Sequence, residues 1–254
     1  MKTRRLFIVL FVIIAILLVI LFCKIKGIFP IKTAKYTDKD IEDLVLKGVE
    51  NYNRHQSFSY DLVENSKGNT YTRRFFHKGQ KEKIVVTADT RSHSSTGFSV
   101  IATDKKRYSV SPKDKLILWE ESSETNTPVI SFLQSDLLHI IDTRNNGNHN
   151  TRTTFRYIRE EKLEGKDCIV ISVDVFYSYD GTYVKDSSDG RPHSVYWIEK
   201  STGFLLGASQ VEPDEQEKNL TPQLILKDLT FGEIPDKEFE VPTEKDVYKI
   251  IQSK

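Results

Sequence analysis

Residues 196–206 read YWIEKSTGFLL, and this stretch predicts a β-hairpin. Its first residues are aromatic and β-branched, as is typical of a strand. Lys200-Ser201-Thr202-Gly203 has the composition of a tight turn, in which Gly203 can take a positive φ. Phe204, Leu205 and Leu206 then begin a returning apolar strand. The pattern indicates a hairpin with a specific turn.

A second stretch reads KDLTFGEIPDKEFEVP at residues 227–242 and predicts the last part of a sheet. Leu224 and Leu226 alternate with other residues, so we expect them to point inward, together with Leu229 and Phe231. Pro235 marks the turn that closes this strand. Phe239 is expected to plug the core.

Together the two stretches resemble the end of the bacterial lipoprotein-carrier superfamily, the LolA/LolB-like proteins. In that superfamily a W-I-D-K-x-T-G-L-P-L hairpin precedes an F-x-x-x-P-D-x-x-F-x-x-P ending. This chain keeps most of both, with Glu199 for the usual Asp and Leu205 for the usual Pro. Residues 161–168 also resemble the family's entry into a strand. The resemblance extends over 36–254, although its specific residues lie mainly after Arg152.

The resemblance implies an α+β fold, a strongly curved antiparallel sheet or incomplete β-barrel with helices on or over its concave face. Residue periodicity agrees with it. Thr37 supplies N-cap chemistry for a helix that runs to about residue 53. Period-two patterns then predict strands at 57–64, 70–78, 82–88, 97–102, 107–111, 116–120, 153–161, 168–177, 194–200, 205–211 and 223–231.

A second helix is predicted from Val129 to about Thr143, between the two groups of strands. One stripe of this helix is apolar, and a further set of apolar residues widens the stripe. So wide a stripe needs a large apolar partner. The stripe consists of Ile130, Leu133, Leu137 and Ile141, and the widening residues are Phe132, Leu138 and Ile140.

The N-terminus predicts a membrane anchor. Leu6–Phe22 is a run of 17 apolar residues, which Cys23 extends, and this is close to the shortest helix able to cross a hydrocarbon core about 30 Å thick. A removable signal is the alternative, but no small-x-small cleavage site follows the run. We therefore expect one N-terminal transmembrane helix at 6–23. It belongs to a segment, residues 1–35, that consists of a cytoplasmic stub, this membrane anchor and a basic tether. Residues 36–254 would then form a single extracytoplasmic domain of a single-pass cell-membrane protein.

The two cysteines have different interpretations. Cys23 lies where a bacterial lipoprotein carries its acylated cysteine, but residues 20–22 lack the small residue that normally precedes it. An unmodified cysteine at the membrane interface is favoured over lipidation, and either state leaves the protein attached to the membrane. Cys168 lies in an apolar strand pattern and is expected to be a buried structural thiol.

Charge and motifs argue against several functions. Residues 1–35 hold seven of the 37 Lys and Arg and no acid, which leaves 30 bases against 36 acids in 36–254. This mildly acidic domain argues against nucleic acid as a partner. Arg73-Arg74 is therefore interpreted as a solvated hairpin end.

The chain carries no recognisable enzyme motif. The six histidines lack metal-binding spacing, and the sequence has no Gly-x-Ser-x-Gly, phosphate loop or dinucleotide fingerprint. His139 is interpreted as a helix-surface histidine, and the Asp186–Gly190 turn lacks the pattern of a calcium loop. The sequence therefore predicts a protein that is not an enzyme, with no catalytic residue, cofactor or metal site.

Two functions remain open. As the resemblance implies, the half-barrel would bind lipid or an acyl chain between the sheet and the second helix. Alternatively, the same fold would bind or regulate another extracytoplasmic protein, since the superfamily includes periplasmic stress regulators and a spore-germination lipoprotein that partners a cortex amidase. An uncleaved anchor disfavours a shuttle between two membranes. The expected partners are the cytoplasmic membrane and either an acyl chain or a protein of the cell envelope.

Overall fold

The computed structural model describes residues 35–66, 68–90, 96–103, 106–121, 130–145, 151–179, 182–185, 194–211, 219–242 and 248–252. The predicted anchor at 6–23, with Cys23, lies outside these residues, as does the 186–190 turn. In the ranges given, neither helix combines the length and the apolarity that a membrane crossing requires. The anchor and the boundary at residue 36 stay predictions.

The described part of the chain contains two α-helices and thirteen β-strands. The helices are α1, Asp38–Asn53, and α2, Phe132–Asn145. The strands are β1 Ser57–Ser66, β2 Asn69–Lys78, β3 Lys81–Asp89, β4 Ser99–Ala102, β5 Lys106–Ser111, β6 Leu116–Glu121, β7 Thr151–Leu163, β8 Lys166–Tyr179, β9 Thr182–Lys185, β10 Ser194–Glu199, β11 Leu205–Gln210, β12 Leu224–Phe231 and β13 Lys249–Gln252.

The strands form one large, open, curved sheet, in the order β13-β6-β5-β4-β3-β2-β1-β12-β11-β10-β8-β7 with β9 paired to β8. The α+β class and the curved sheet confirm the prediction. The wholly antiparallel sheet does not hold, because β13 pairs in parallel with β6 and the sheet is mixed. Residues 249–252 read KIIQ, which lacks a period-two pattern, and their partner strand lies far away in the sequence.

Helix α1 forms as predicted because its first turn is capped. The Thr37 hydroxyl accepts a hydrogen bond from the Asp40 amide at 3.2 Å, and the Asp40 carboxylate accepts one from the Thr37 amide at 2.8 Å. This reciprocal capping box satisfies two donors that a helix start otherwise leaves unpaired. Helix α2 begins at Phe132, later than predicted. The predicted widening of its apolar stripe is wrong at Phe132, whose side chain is 50% exposed.

Strand β12 contains a bulge, and its inward-pointing residues change there from even to odd positions. Asp228 has a φ of 51°, and the pairing of β12 with β1 shifts register at the same place. An extra residue at such a bulge moves the following side chains to the other face. Leu224 and Leu226 therefore share a face with Leu229 and Phe231, and all four pack in or against the main core, as predicted.

Two apolar clusters hold the sheet. The main core lies where α1 and α2 pack on one face of the sheet, hereafter the helix face, over β7 and β11. A smaller cluster of Ile101, Val110 and Ile117 lies on the opposite face, where Val241 and Tyr248 pack against it. The predicted plug, Phe239, is buried in a 3₁₀ turn at Asp236–Phe239. The chain end thus covers the opposite face of the outer strands.

Candidate ligand-binding face

The hairpin turn that follows β10 is organised by one carboxylate. Glu199 is buried and accepts hydrogen bonds from the Ser201 hydroxyl at 2.9 Å and the Thr202 hydroxyl at 2.8 Å. Gly203 takes a φ of 80°, as the sequence predicted, and its amide donates to the Glu199 carbonyl at 2.8 Å. Glu199 therefore fixes the turn from within.

Both helices close on this turn. A Cβ at Gly48 of α1 would lie 2.2 Å from the Gly203 carbonyl oxygen, so the backbones meet at a distance that only glycine permits. Gln134 of α2 is fully buried; its amide nitrogen donates to the Val45 carbonyl at 2.8 Å, and its oxygen accepts from the Leu205 amide at 3.0 Å. The helix face is packed shut at this end of the sheet.

The outer strands carry an apolar row on the same face. Residues paired directly across neighbouring strands point to the same side of a sheet. In register from β1 to β13, the paired residues are Tyr60, Phe75, Ile84, Val100, Ser109, Leu118 and Ile251. We call these residues the apolar row. At about 4.8 Å between strands, the row is roughly 29 Å long.

Exposure rises along the apolar row. Tyr60 and Phe75 are buried in the main core, and Val100 is half-buried. Leu118 is 37% exposed and Ile251 38% exposed. Val100 and Leu118 belong to neither apolar cluster. The row thus runs from a closed core, where the Tyr60 hydroxyl accepts the Phe132 amide at 3.0 Å, to an accessible edge.

Two polar residues on neighbouring strands, His77 and Glu82, border the row. His77 lies across from Phe58 on one side and Glu82 on the other, and its ring stacks on Phe58 at 4.6 Å between centroids. Burial lowers the pKa of His77 to about 4, and its Nε2 has no hydrogen-bond partner in the described part of the chain. Burial also raises the pKa of Glu82, although Arg107 acts in the opposite direction.

Arg73 borders the row on its other side, and its neighbour Arg74 does not. The interpretation of Arg73-Arg74 as a hairpin end is wrong, because both lie within β2 and so point to opposite faces. Arg74 makes two hydrogen bonds of 2.7 Å to the Asp61 carboxylate. Arg73 shares the helix face with Tyr71, Phe75 and His77, and this shared parity is the sequence signal that would have distinguished it.

The remaining predicted residues fall in ordinary structural places. Cys168 is buried, and burial raises the pKa of its thiol to about 11, so the interpretation as a structural thiol is confirmed. His139 lies at an exposed position of α2. Among the described residues, no group of three or more His, Cys, Asp and Glu is arranged to hold a metal ion. Cys23 remains outside the described ranges.

No protein-family model and no curated protein matches this chain. Similar solved structures include an uncharacterized conserved protein from Thermus thermophilus, at 8% identity and a TM-score of 0.47, covering 84% of this chain and 99% of that one. They also include the MucA/MucB complex of Pseudomonas aeruginosa, at 14% identity and a TM-score of 0.44, covering 80% of this chain and 61% of that one.

A LolA superfamily protein from Nitrosomonas europaea is similar as well, at 14% identity and a TM-score of 0.31, covering 81% of this chain and 98% of that one. The likeness is one of fold. A member of the superfamily that the hairpin and the chain end resemble is thus among the similar structures.

Proposed function

We propose that this protein is a non-catalytic binding protein that holds an acyl chain against the apolar row. The observation that carries the proposal is the in-register row itself, which continues the main core outward to Leu118 and Ile251. A ligand here would extend an existing apolar surface. It would not need to open the packed core under the helices.

The energetics of such binding follow from burial of apolar surface. Each methylene removed from water contributes about 0.8 kcal/mol. The half-buried residues Ile84 and Val100 and the exposed Leu118 offer surface that an acyl chain would cover. The row is long enough for several carbon atoms to contact each strand that it crosses.

The proposed location is the outer face of the cytoplasmic membrane. The apolar run at 6–23 would tether the domain there, with residues 36–254 extracytoplasmic. Residues 24–35 would form a short basic tether between the anchor and α1. A tethered domain meets membrane amphiphiles at high local concentration, so modest affinity would suffice.

The test is photolabelling of the full-length chain in the membranes of its expression host. The probe is palmitic acid with a diazirine in its chain, and labelled peptides are mapped by mass spectrometry. We expect label on peptides from β4 and β6, and we expect excess palmitate to compete with it. The change Leu118→Lys should strongly reduce this label, because it puts a charge on the row.

Ile250→Lys is the matched control. Ile250 is 43% exposed and pairs with Ile117, so its side chain points to the opposite face of the sheet. This variant should be labelled like the unchanged protein. Label confined to 6–23, or equal loss of label in both variants, would contradict the proposal.

A protein partner is the second candidate, and β13 is the observation that favours it. This strand lies at the edge of the sheet, and no other strand in the described ranges pairs with its outer side. Edge strands with exposed apolar residues are templates for pairing with another chain. If a cell-envelope protein binds here, Ile250→Lys should abolish crosslinking to that protein while acyl labelling at the row is absent.

A further inference from the structure

Arg73 is a cation on the helix face whose guanidinium makes no hydrogen bond to a carboxylate among the described residues, although it forms a long ion pair with Glu64. Its side chain is 28% exposed, and the nearest carboxylate oxygen, Glu64 Oε2, is 3.9 Å from an Nη atom. That separation is too long for a hydrogen bond. The Nε atom is buried and has no hydrogen-bond partner within the described ranges. A buried guanidinium nitrogen left in this state is costly.

Aromatic rings hold the guanidinium in place. Its central carbon lies 5.4 Å from the centroid of the Tyr71 ring and 6.0 Å from that of Phe75. These are cation–π distances. On the neighbouring strands, its cross-strand partners Leu62 and Val86 are buried. The group is therefore positioned by apolar and aromatic neighbours, and in the described part of the chain only the 3.9 Å ion pair with Glu64 offsets its charge.

The adjacent Arg74 is a guanidinium in the same strand whose donors have a carboxylate partner. Arg74 binds Asp61 through two parallel hydrogen bonds, and its pKa is raised mainly by that hydrogen bonding. Such a bidentate pair is the geometry that carboxylate and phosphate groups match. Arg73 offers the same donors on the helix face, where the described residues supply no such acceptor.

We infer that Arg73 binds the anionic head group of the amphiphile whose chain lies on the apolar row. The inference rests on the proposed function and adds the chemical class of the ligand, an acyl chain ending in a carboxylate or a phosphate. Arg73 and Phe75 are two residues apart on one strand and face, about 7 Å. A head group at Arg73 would therefore place the first carbons of its chain near the half-buried Ile84, which is paired with the buried Phe75 in the row.

The experiment compares two photoreactive probes on the full-length chain in membranes. One is diazirine palmitic acid and the other is the corresponding fatty alcohol, which has the same chain without the charge. In Arg73→Gln, the palmitate concentration needed to compete for half of the acid label should rise at least tenfold, as expected for loss of a charge-assisted hydrogen bond. Labelling by the alcohol should not change.

Three further variants separate recognition from folding. Arg74→Gln breaks the Asp61 pair on the opposite face and should leave the acid and alcohol labels in their original ratio. Arg73→Lys keeps the charge but loses the planar fork, so it should retain part of the preference for the acid. Arg73→Glu should reverse the preference and favour a diazirine hexadecylamine probe.

Competition then identifies the source of the anion. Displacement by palmitate alone assigns a carboxylate, and displacement by lysophosphatidate assigns a phosphate; either supports the inference. If both probes label the row equally and Arg73→Gln changes neither, the head-group assignment is overturned while the proposed function stands. If neither probe labels the row, both the assignment and the proposed function are overturned.

Discussion

At the scale of single residues, the buried His77 makes the stability of the fold depend on pH. Its ring is buried against Phe58, and its pKa falls from an ordinary value of 6.5 to about 4 in the folded protein. The unfolded chain therefore binds the proton more readily. The stability that depends on neutral His77 is fully present above about pH 6.5 and is lost as the pH falls toward 4.

We expect the free energy of unfolding to fall by about 3 kcal/mol through this window from His77 alone. Glu82, whose pKa is raised, contributes with the opposite sign, so the comparison must be made against a variant. His77→Phe should flatten the pH dependence in urea unfolding between pH 7.5 and 4.5. His55→Phe is the control, because His55 stacks on Phe231 at 4.2 Å but is exposed. Equal pH profiles for the unchanged protein and His77→Phe would contradict the assignment.

At the scale of elements, the contact of α1 with the hairpin turn decides the effect of Gly48→Ala. In an isolated helix this change stabilises by about 1 kcal/mol. Here the added Cβ would lie 2.2 Å from the Gly203 carbonyl oxygen and 2.6 Å from the Gln134 amide nitrogen. Backbone cannot give way as a flexible side-chain end can, so we expect a net loss of about 2 to 3 kcal/mol.

Urea unfolding of Gly48→Ala measures this loss, and Glu50→Ala on the exposed side of α1 is the control. The control should change stability by less than about 0.5 kcal/mol. A more stable Gly48→Ala protein would mean that α1 does not dock on the turn. Gln134→Leu tests the same junction from α2, since it removes the hydrogen bonds to Val45 and Leu205.

At the scale of the whole molecule, we predict that residues 36–254 fold without the N-terminal segment. The main core and the smaller cluster are both built from Tyr36 and residues that follow it, and about 220 residues are ample for such a core. The shortened protein should be soluble and should unfold in one cooperative urea transition. Aggregation of this protein would contradict the predicted boundary.

A shorter chain that begins at Lys39 is the matched comparison. It loses the Thr37 cap, the Asp38 carboxylate that accepts the Phe155 amide at 2.9 Å, and the contact of Tyr36 with Tyr157. The cap stabilises the first turn of α1, and the other two contacts hold that turn against β7. This chain should therefore unfold at a lower urea concentration than 36–254. An unchanged midpoint would show that these contacts do not hold the helix start.

Features that depend on nearby residues could be predicted from the sequence. The capped start of α1, the positive φ of Gly203 and the alternating strands follow from steric limits and side-chain patterns within a few positions. The buried state of Phe239 and Cys168 follows from the same local patterns. The hairpin and chain-end motifs also predicted the α+β class and the curved sheet that the structure displays.

Contacts between distant residues became known from the folded structure. The parallel pairing of β13 with β6, the close approach of Gly48 to Gly203 and the apolar row all join positions far apart in sequence. Arg73 and Arg74 look alike in the sequence, and their roles separate because a strand sends neighbouring side chains to opposite faces. Local patterns carry no information about which strand lies beside another, so the candidate site emerged only when register and exposure were known.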